Sequence, residues 1–215
     1  MSDWTYKGGD SGLALFSAVY RAGHLPMPSD GVVLEVGCCE ADWLGNAHAA
    51  WPGLMLIGID TALKRVSVSE DGRVHKRNAN VMDPSLFQPA SLDAVVGVSS
   101  LEHIGLGHYA DPKDPEGDTK AFTNIWTWLK PGGVLYFDVP YNPEGYQVLN
   151  TECRIYDDAA IWNRLWVEPL AAAKASAKWL WDGYVDAGSA GTLVPKPTVK
   201  APRYWYAAHV WRKVG

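Results

Sequence analysis

The stretch VVLEVGCCEADWLGNAHAAWPGLMLIGID, residues 32–60, decides the fold. It opens with a short apolar run rich in β-branched residues, continues through a turn and a helical pattern, and ends in a second apolar run that stops at Asp60. Neither run shows the polar alternation of a half-exposed strand, which predicts strands buried on both faces, as in a parallel sheet. The stretch therefore predicts a strand–helix–strand unit of an α/β protein.

The rest of the chain continues this alternation. Strands are predicted at residues 32–36, 54–59, 73–78, 93–98, 134–139 and 204–213, and helices at 11–23, 40–51, 62–66, 119–129 and 157–181, the last bent at Pro169. Because crossovers between parallel strands are right-handed, this order predicts a doubly wound, mostly parallel sheet with an antiparallel C-terminal strand. We expect a seven-stranded sheet, with one strand more than the six ranges identified here.

Composition excludes several classes of protein. With 215 residues, 47% of them hydrophobic and 20% charged, the chain is neither disordered nor fibrous. A net charge of −5 argues against general binding to nucleic acid. Three cysteines form no disulfide framework, and the N-terminal sequence lacks a secretory pattern, so we expect a cytoplasmic protein without membrane insertion. The 11 tryptophans indicate either an aromatic core or an aromatic binding surface.

The residues that follow the strands point to a nucleoside. In open α/β sheets, ligands bind beyond the carboxyl ends of the strands. Gly37 and Cys38 follow the first strand, and small residues there let the backbone approach a ligand closely. Asp60, after the second strand, is placed to accept hydrogen bonds from both hydroxyls of a ribose.

The loop after the first strand argues against a phosphate-bearing cofactor. A dinucleotide site uses G-x-G-x-x-G, whereas residues 37–42 read GCCEAD and lack the second and third glycines. Glu40 and Asp42 would also repel phosphate. S-adenosylmethionine has no phosphate and carries a cationic sulfonium, so it suits this acidic loop better.

Four segments resemble the motifs of class I S-adenosylmethionine-dependent methyltransferases, in the same order. They are LEVGCCEADW (34–43), LIGID (56–60), SLDAVVGVSSLEHIG (91–105) and WLKPGGVLYFDVP (128–140). The segment SSLEHIGLGHYADPKDPEGD (99–118) resembles a little-characterised bacterial subgroup associated with polysaccharide and surface-modification loci. Cys39 and Ala41 replace the later glycines of the first motif, which narrows the space for the methionine moiety.

The resemblance implies a role for each residue at the strand ends. Glu35 would join the network around the methionine ammonium group, Asp60 would bind the ribose, and Asn80 would bind the adenine amine. The full set of expected cofactor contacts is Glu35, Gly37, Cys38, Asp60, Asn80, Ser99 and Leu101. The structural alternatives are a strand-end hydrogen bond for Glu35, a helix cap for Asp60, a turn for Asn80, and loop packing for Ser99 and Leu101.

His103 is the candidate base. It follows the fourth strand, and histidine is the side chain that most often serves as a general base, so it is suited to take a proton from a hydroxyl acceptor. Glu102 is the second candidate. The alternative for His103 is a structural hydrogen bond that orders the loop. Too few ligands accompany this pair to predict a metal site.

Residues later in the chain are candidates for the acceptor site. Tyr141 and Asn142 follow the fifth strand and are expected to face the acceptor. Arg154 and Tyr156 are suited to an anionic or sugar-like substrate, the alternative being a structural ion pair. Carboxylates in the loop at 108–118 lie on the active-site side, where they either cover substrate or face solvent.

These observations predict one domain over residues 1–215. It comprises an N-terminal helical lead-in (1–30), a cofactor-binding core (31–142) and a substrate-side helix with the last strands (143–215). The expected function is S-adenosylmethionine-dependent methyl transfer to oxygen on a small-molecule or glycan-like acceptor. The alternative is a non-catalytic binding or scaffold protein that keeps the fold.

Overall fold

An eight-stranded sheet organises the part of the chain that the computed structural model describes, namely residues 11–38, 43–166, 177–186, 193–198 and 205–214. Its strands are β1 (Gly31–Val36), β2 (Leu54–Asp60), β3 (Ser67–Val68), β4 (Val74–Asn78), β5 (Leu92–Gly97), β6 (Leu129–Tyr141), β9 (Ala177–Asp186) and β10 (Trp205–Lys213). A separate hairpin pairs β7 (Gln147–Leu149) with β8 (Cys153–Ile155). The helices are α1 (Ser11–Arg21), α2 (Trp43–Ala50), α3 (Gly117–Trp128) and the short α4 (Asp158–Ala160), which continues as a π-helical turn, Ile161–Leu165.

The strand order places a crevice beside β1. The spatial order is β3-β4-β2-β1-β5-β6-β10-β9, so the chain builds outward from β1 to β4 and then returns to the other side of β1 with β5. β1 runs parallel to both β2 and β5, whereas β10 runs antiparallel to its neighbours β6 and β9. Reversal of the winding direction at β1 leaves the loops there diverging, which opens the ligand crevice of a doubly wound sheet.

The central strands are buried because apolar layers cover both faces of the sheet. Alternate residues of β1 enter opposite layers, with Val33 packed near α1 and α2 and Leu34 packed on the α3 side. Aromatic side chains fill the second layer, where Trp166 contacts Phe122 at 4.8 Å and Trp211 at 4.5 Å between ring centroids. Trp166 and Trp211 are therefore part of the core. For these two residues the structure favours an aromatic core over an aromatic binding surface.

Most elements match the sequence prediction, including the mostly parallel sheet and the antiparallel last strand. The sheet has eight strands where seven were expected, because β3, which has only two residues, and β9 lie outside the six predicted strand ranges. The helix predicted at 62–66 is wrong. The side-chain amide of Asn78 donates to the carbonyls of Thr61 and Leu63, at 3.1 Å and 2.9 Å, and so holds this segment against β4.

The long helix predicted at 157–181 is also wrong in its last part. Helical structure extends from Asp158 to Leu165, but residues 177–181 belong to β9, where they pair with β10. Large aromatic and apolar residues in AKWLWDGYVD favour a strand when a neighbouring edge is available. The bend expected at Pro169 and the loop residues Cys39–Asp42 lie outside the described residues.

Gly58 lies where β2 packs closely against Leu44 of α2 and against Cys38. A Cβ atom at this position would lie 2.5 Å from Leu44 Cδ1 and 2.7 Å from Cys38 Cβ. We expect Gly58→Ala to lower the free energy of unfolding by ~1–3 kcal/mol, measured by urea denaturation. Gly97→Ala is the matched control in β5, because its Cβ would meet ordinary contacts at 3.8 Å or more. Equal stabilities of the two variants would contradict this packing.

Candidate functional site

A cleft of about 210 Å³ opens at the carboxyl ends of β1, β2, β4 and β5. Its walls come from the turns that follow these strands and from the loop after β5. The lining residues are Val36, Gly37, Ile59, Asp60, Thr61, Ala79, Asn80, Val81, Val98, Ser99, Ser100, His103, Ile104, Tyr109 and Asp111. The cleft therefore lies where the strand order predicts a ligand site.

The floor of the cleft is a close junction between the ends of β1 and β5. Gly37 has φ +85°, and a Cβ there would lie 2.7 Å from Ser100 Cβ. The hydroxyl of Ser100 donates to the carbonyls of Val36, at 2.7 Å, and Val98, at 3.0 Å. A side chain at position 37 would fill this junction, so glycine is required both for the backbone conformation and for the approach.

The β2 side of the cleft carries Asp60 and Asn80. The carboxylate of Asp60 accepts the backbone N–H of Ala62 at 2.7 Å, and the side-chain oxygen of Asn80 accepts that of Met82 at 3.0 Å. Each bond closes a turn between residues two apart, which fixes the polar side chain at the rim of the sheet. Asn80 thus makes the turn contact of its structural alternative, whereas Asp60 closes a turn and caps no helix, and both residues line the cleft.

Ser99, at the start of the loop after β5, is held by two buried carboxylates. Its φ of +46° is a left-handed conformation that non-glycine residues seldom adopt. Its N–H donates to Asp138 at 2.9 Å, and its hydroxyl donates to Glu102 at 2.7 Å. Both carboxylates have no solvent exposure. These bonds stabilise a backbone conformation that would otherwise be unfavourable, beside the cleft.

Glu102 lies beneath the cleft surface. Burial raises the pKa of its carboxyl above the ordinary value, and the nearby His103 and the hydrogen bond from Ser99 offset this only in part. Its second oxygen, Oε2, has no hydrogen-bond partner among the residues that the structure describes. Glu102 therefore acts on Ser99 and His103 and does not line the cleft.

His103 lines the cleft with one ring nitrogen already engaged. Its Nδ1 bonds the backbone carbonyl of Glu152, in the turn between β7 and β8, and a carbonyl accepts only, so Nδ1 carries a proton. In the neutral ring, Nε2 is then the basic nitrogen, and it lies 3.8 Å from Glu102 Oε1. The ring also packs edge-to-face against Tyr109, with centroids 5.2 Å apart.

The expected cofactor residues divide into two groups. Gly37, Asp60, Asn80 and Ser99 line the cleft together. Glu35, Cys38 and Leu101 are at most 1% exposed and lie behind that surface. The Cys38 thiol packs into the layer over β2, where burial raises its pKa to about 12.

The expected acceptor residues do not line the cleft. Tyr141, Asn142, Arg154 and Tyr156 are all at most 5% exposed. Arg154 Nε lies 3.5 Å from Asp118, and the hydroxyl of Tyr156 donates to the same carboxylate at 2.9 Å. Arg154 and Asp118 form the structural ion pair of the alternative interpretation, and in the described part of the chain none of the four expected residues lines the cleft.

Sequence reasoning missed part of the lining. Thr61, Ile104 and Tyr109 were not singled out, and Asp111 was considered only as one of several carboxylates in its loop. The signal in the sequence that points to this loop is the glycine pair Gly105 and Gly107. Both glycines have positive φ in the structure, as in a loop of defined conformation.

The charges of the cleft favour one class of ligand. Within the described part of the chain, the lining includes the carboxylates of Asp60 and Asp111 but no lysine or arginine. Such a surface accepts hydrogen bonds and attracts cations, and it offers no side-chain cation to a phosphate. The described residues also contain no group of three or more His, Cys, Asp or Glu side chains arranged to hold a metal ion.

Part of the chain is similar in sequence to a family of unknown function. Residues 83–162 match the family model described as "Caenorhabditis protein of unknown function, DUF268". This match covers less than half of the chain and includes the SSLEHIGLG segment. No curated protein matches the sequence.

Solved structures share the fold at low sequence identity. The Burkholderia thailandensis 1,6-didemethyltoxoflavin-N1-methyltransferase, solved with its substrate and S-adenosylhomocysteine, aligns with a TM-score of 0.60 and 15% identity over 94% of this chain and 77% of that chain. Geranyl diphosphate C-methyltransferase from Streptomyces coelicolor A3(2), solved with Mg²⁺, geranyl diphosphate and S-adenosyl-L-homocysteine, gives a TM-score of 0.56 and 15% identity over 94% and 81%. The [4+2]-cyclase SpnF gives 0.60 and 16% over 100% and 88%. The chain therefore has the mostly parallel α/β fold of these proteins.

Burial of Glu102 predicts a characteristic pH dependence of stability. Because its pKa is higher in the folded than in the unfolded chain, ionisation above the ordinary pKa favours the unfolded state, and stability is lost as pH rises. We expect Glu102→Gln to be more stable than the wild type near about pH 8, with the difference shrinking toward about pH 4 in urea denaturation. Glu70→Gln, at an exposed position, is the control. A pH-independent difference for Glu102→Gln would show that the carboxyl is not desolvated.

Proposed function

We propose that this protein transfers a methyl group from S-adenosylmethionine to a hydroxyl oxygen of a small-molecule or glycan-like acceptor. The observation that carries the proposal is the character of the cleft. It lies at the carboxyl edge of a doubly wound sheet, is lined by two carboxylates, and offers neither lysine nor arginine among the described residues.

Charge selects this cofactor over a dinucleotide. A pyrophosphate needs N–H donors and cations, and at short range two like charges repel strongly outside bulk water. S-adenosylmethionine instead presents ribose hydroxyls, an adenine amine, an ammonium group and a cationic sulfonium, all of which suit acceptor oxygens. In the proposed pose, Asp60 accepts the ribose hydroxyls and Asn80 meets the adenine amine, while Gly37 lets the methionine moiety lie close to the backbone.

The structural neighbours support the same cofactor. The toxoflavin and geranyl diphosphate methyltransferases were both solved with S-adenosylhomocysteine. Their acceptors differ in chemistry, so the fold does not indicate the acceptor of this chain. The [4+2]-cyclase SpnF has the same fold, which is why the proposal rests on the cleft and not on the fold alone.

The residues of this chain would supply orientation and a base. When bound, the cofactor supplies an electrophilic methyl group for an in-line displacement. His103 would take the proton of the acceptor hydroxyl at Nε2, because Nδ1 is already committed to the carbonyl of Glu152. Glu102 would act as a positioning residue that fixes Ser99 and lies near the imidazole. The presence of this base beside the cleft is the reason for proposing oxygen as the methylated atom.

The acceptor would bind near the rim formed by His103 and the loop after β5. Tyr141, Asn142, Arg154 and Tyr156 would support that rim from below, since their side chains are buried.

We propose no membrane insertion. No helix among the described residues is long and apolar enough to span a bilayer.

Asp60 provides the test of cofactor binding. Asp60→Asn keeps an oxygen for the Ala62 N–H but removes the carboxylate. We expect its affinity for S-adenosylmethionine to fall by ~10–100-fold, the loss of one or two hydrogen bonds to a charged group, measured by isothermal titration calorimetry. Asp83→Asn is the matched control, because Asp83 also accepts a backbone N–H two residues on, from Ser85, but lies outside the cleft. Unchanged affinity in Asp60→Asn would remove the ribose assignment.

His103 provides the test of catalysis. His103→Ala should reduce turnover by roughly 10²–10⁴-fold while changing cofactor affinity little, because a base acts on the acceptor. Turnover is measured as S-adenosylhomocysteine release with a panel of hydroxyl-bearing acceptors. His108→Ala, which removes a neighbouring ring outside the cleft, is the control.

Equal turnover in the two histidine variants would return His103 to a structural role. Binding of S-adenosylmethionine without turnover on any acceptor would instead favour the non-catalytic alternative. The motif positions Cys39 and Ala41, which motivate that alternative, lie outside the described residues.

A further inference from the structure

Asp111 has a buried oxygen that no group among the described residues satisfies. It lines the cleft on the loop after β5. One carboxylate oxygen, Oδ2, accepts the backbone N–H of Gly105. The other, Oδ1, is out of contact with solvent and has no hydrogen-bond partner within the part of the chain that the structure describes. A carboxylate oxygen in that situation is costly unless a bound ligand donates to it.

The loop that carries Asp111 is fixed at both of its ends. The guanidinium of Arg154, which is 1% exposed, donates to the carbonyl of Ile104 at 2.6 Å and to that of Pro115 at 3.4 Å. Gly105 packs so closely that a Cβ there would lie 2.2 Å from the carbonyl oxygen of Asp114. The loop therefore presents Asp111 in a preorganised position, which lowers the entropic cost of binding.

A third contact places the loop on the nucleoside side of the cleft. The hydroxyl of Thr61 donates to the carbonyl of Tyr109 at 2.7 Å. Thr61 directly follows Asp60, the proposed ribose ligand, and Asp111 is two residues beyond Tyr109. Ala110, between them, has φ +64°, so the chain turns sharply there toward the carboxylate. The carboxylate of Asp111 is therefore carried by a loop that is bonded to the residue following Asp60.

We propose that Asp111 is a second cofactor-binding carboxylate, which accepts a hydrogen bond from a ribose hydroxyl or the exocyclic amine of the adenosyl group. This inference rests on the proposed function. Asp111 is not one of the strand-end residues expected to contact the cofactor. Together with Asp60, it would make the cleft selective for nucleosides that present donors instead of phosphates.

Asp111→Asn is the sharpest variant for this role. The amide keeps an oxygen that accepts the Gly105 N–H, so the loop contact survives, but it replaces the unsatisfied acceptor by a donor. We expect affinities for S-adenosylmethionine and S-adenosylhomocysteine to fall by the same factor, roughly tenfold, because the two differ only at sulfur. The melting temperature without ligand should not fall, since a buried unpaired charge is removed.

Asp114→Asn is the matched control. Asp114 lies on the same loop, accepts the Glu116 N–H at 3.0 Å and pairs with Lys120, but does not line the cleft. Its affinities should equal those of the wild type. Unchanged affinities in Asp111→Asn would overturn the proposal, and so would a loss confined to S-adenosylmethionine, because that would place Asp111 at the sulfonium. A wild type that binds neither ligand would refute the proposed function itself.

Discussion

The close approach of Gly37 to Ser100 is the constraint on which the rest of the site depends. It lets the Ser100 hydroxyl bridge the carbonyls of Val36 and Val98, and so fixes the ends of β1 and β5 relative to each other. The winding of the sheet reverses between these two strands. The strand order alone produces a crevice at this position. The junction determines the shape of the crevice, because a Cβ atom at position 37 would occupy the space between the two strand ends.

Charge then determines what such a crevice can hold. Buried carboxylates surround the junction, with Glu35, Glu102 and Asp138 each at most 1% exposed, and Asp60 and Asp111 at the cleft surface. Burying carboxylates costs free energy unless hydrogen bonds or cations compensate. Ser99 and Tyr136 supply part of that compensation, through donated hydrogen bonds at 2.7 Å to Glu102 and 2.8 Å to Asp138. A donor-rich, cationic ligand would supply more, and a diphosphate would make the cost greater.

The sequence predicted the sheet well because its central strands carry an unambiguous signal. Continuous apolar runs such as Leu54–Ile59 are buried on both faces, and the residues that end them must lie at one edge. This is why Gly37, Asp60 and Ser99 were expected at one edge from their positions after the strands, whereas Asn80 was expected there from the family resemblance. Predictions from local sequence patterns were wrong where tertiary contacts determine the structure. The amide of Asn78 holds residues 61–63 out of a helix, and pairing with β10 makes residues 177–181 a strand.

Side-chain direction was beyond the sequence. Arg154 suggested an anion site, but only the fold shows it enclosed with Asp118 and bonded to loop carbonyls. The sequence alone does not distinguish Asp111 from the neighbouring carboxylates. The structure does, because hydrogen bonds from Arg154 and Thr61 fix the conformation of its loop.

We propose that this cleft holds an adenosyl cofactor without phosphates. Calorimetric titration of the wild-type protein with S-adenosylmethionine, S-adenosylhomocysteine and NAD⁺ under the same conditions tests this directly. We expect binding of the first two in the micromolar range, about −8 kcal/mol, and no measurable heat with NAD⁺. Binding of NAD⁺ in the absence of binding to either adenosyl compound would contradict it.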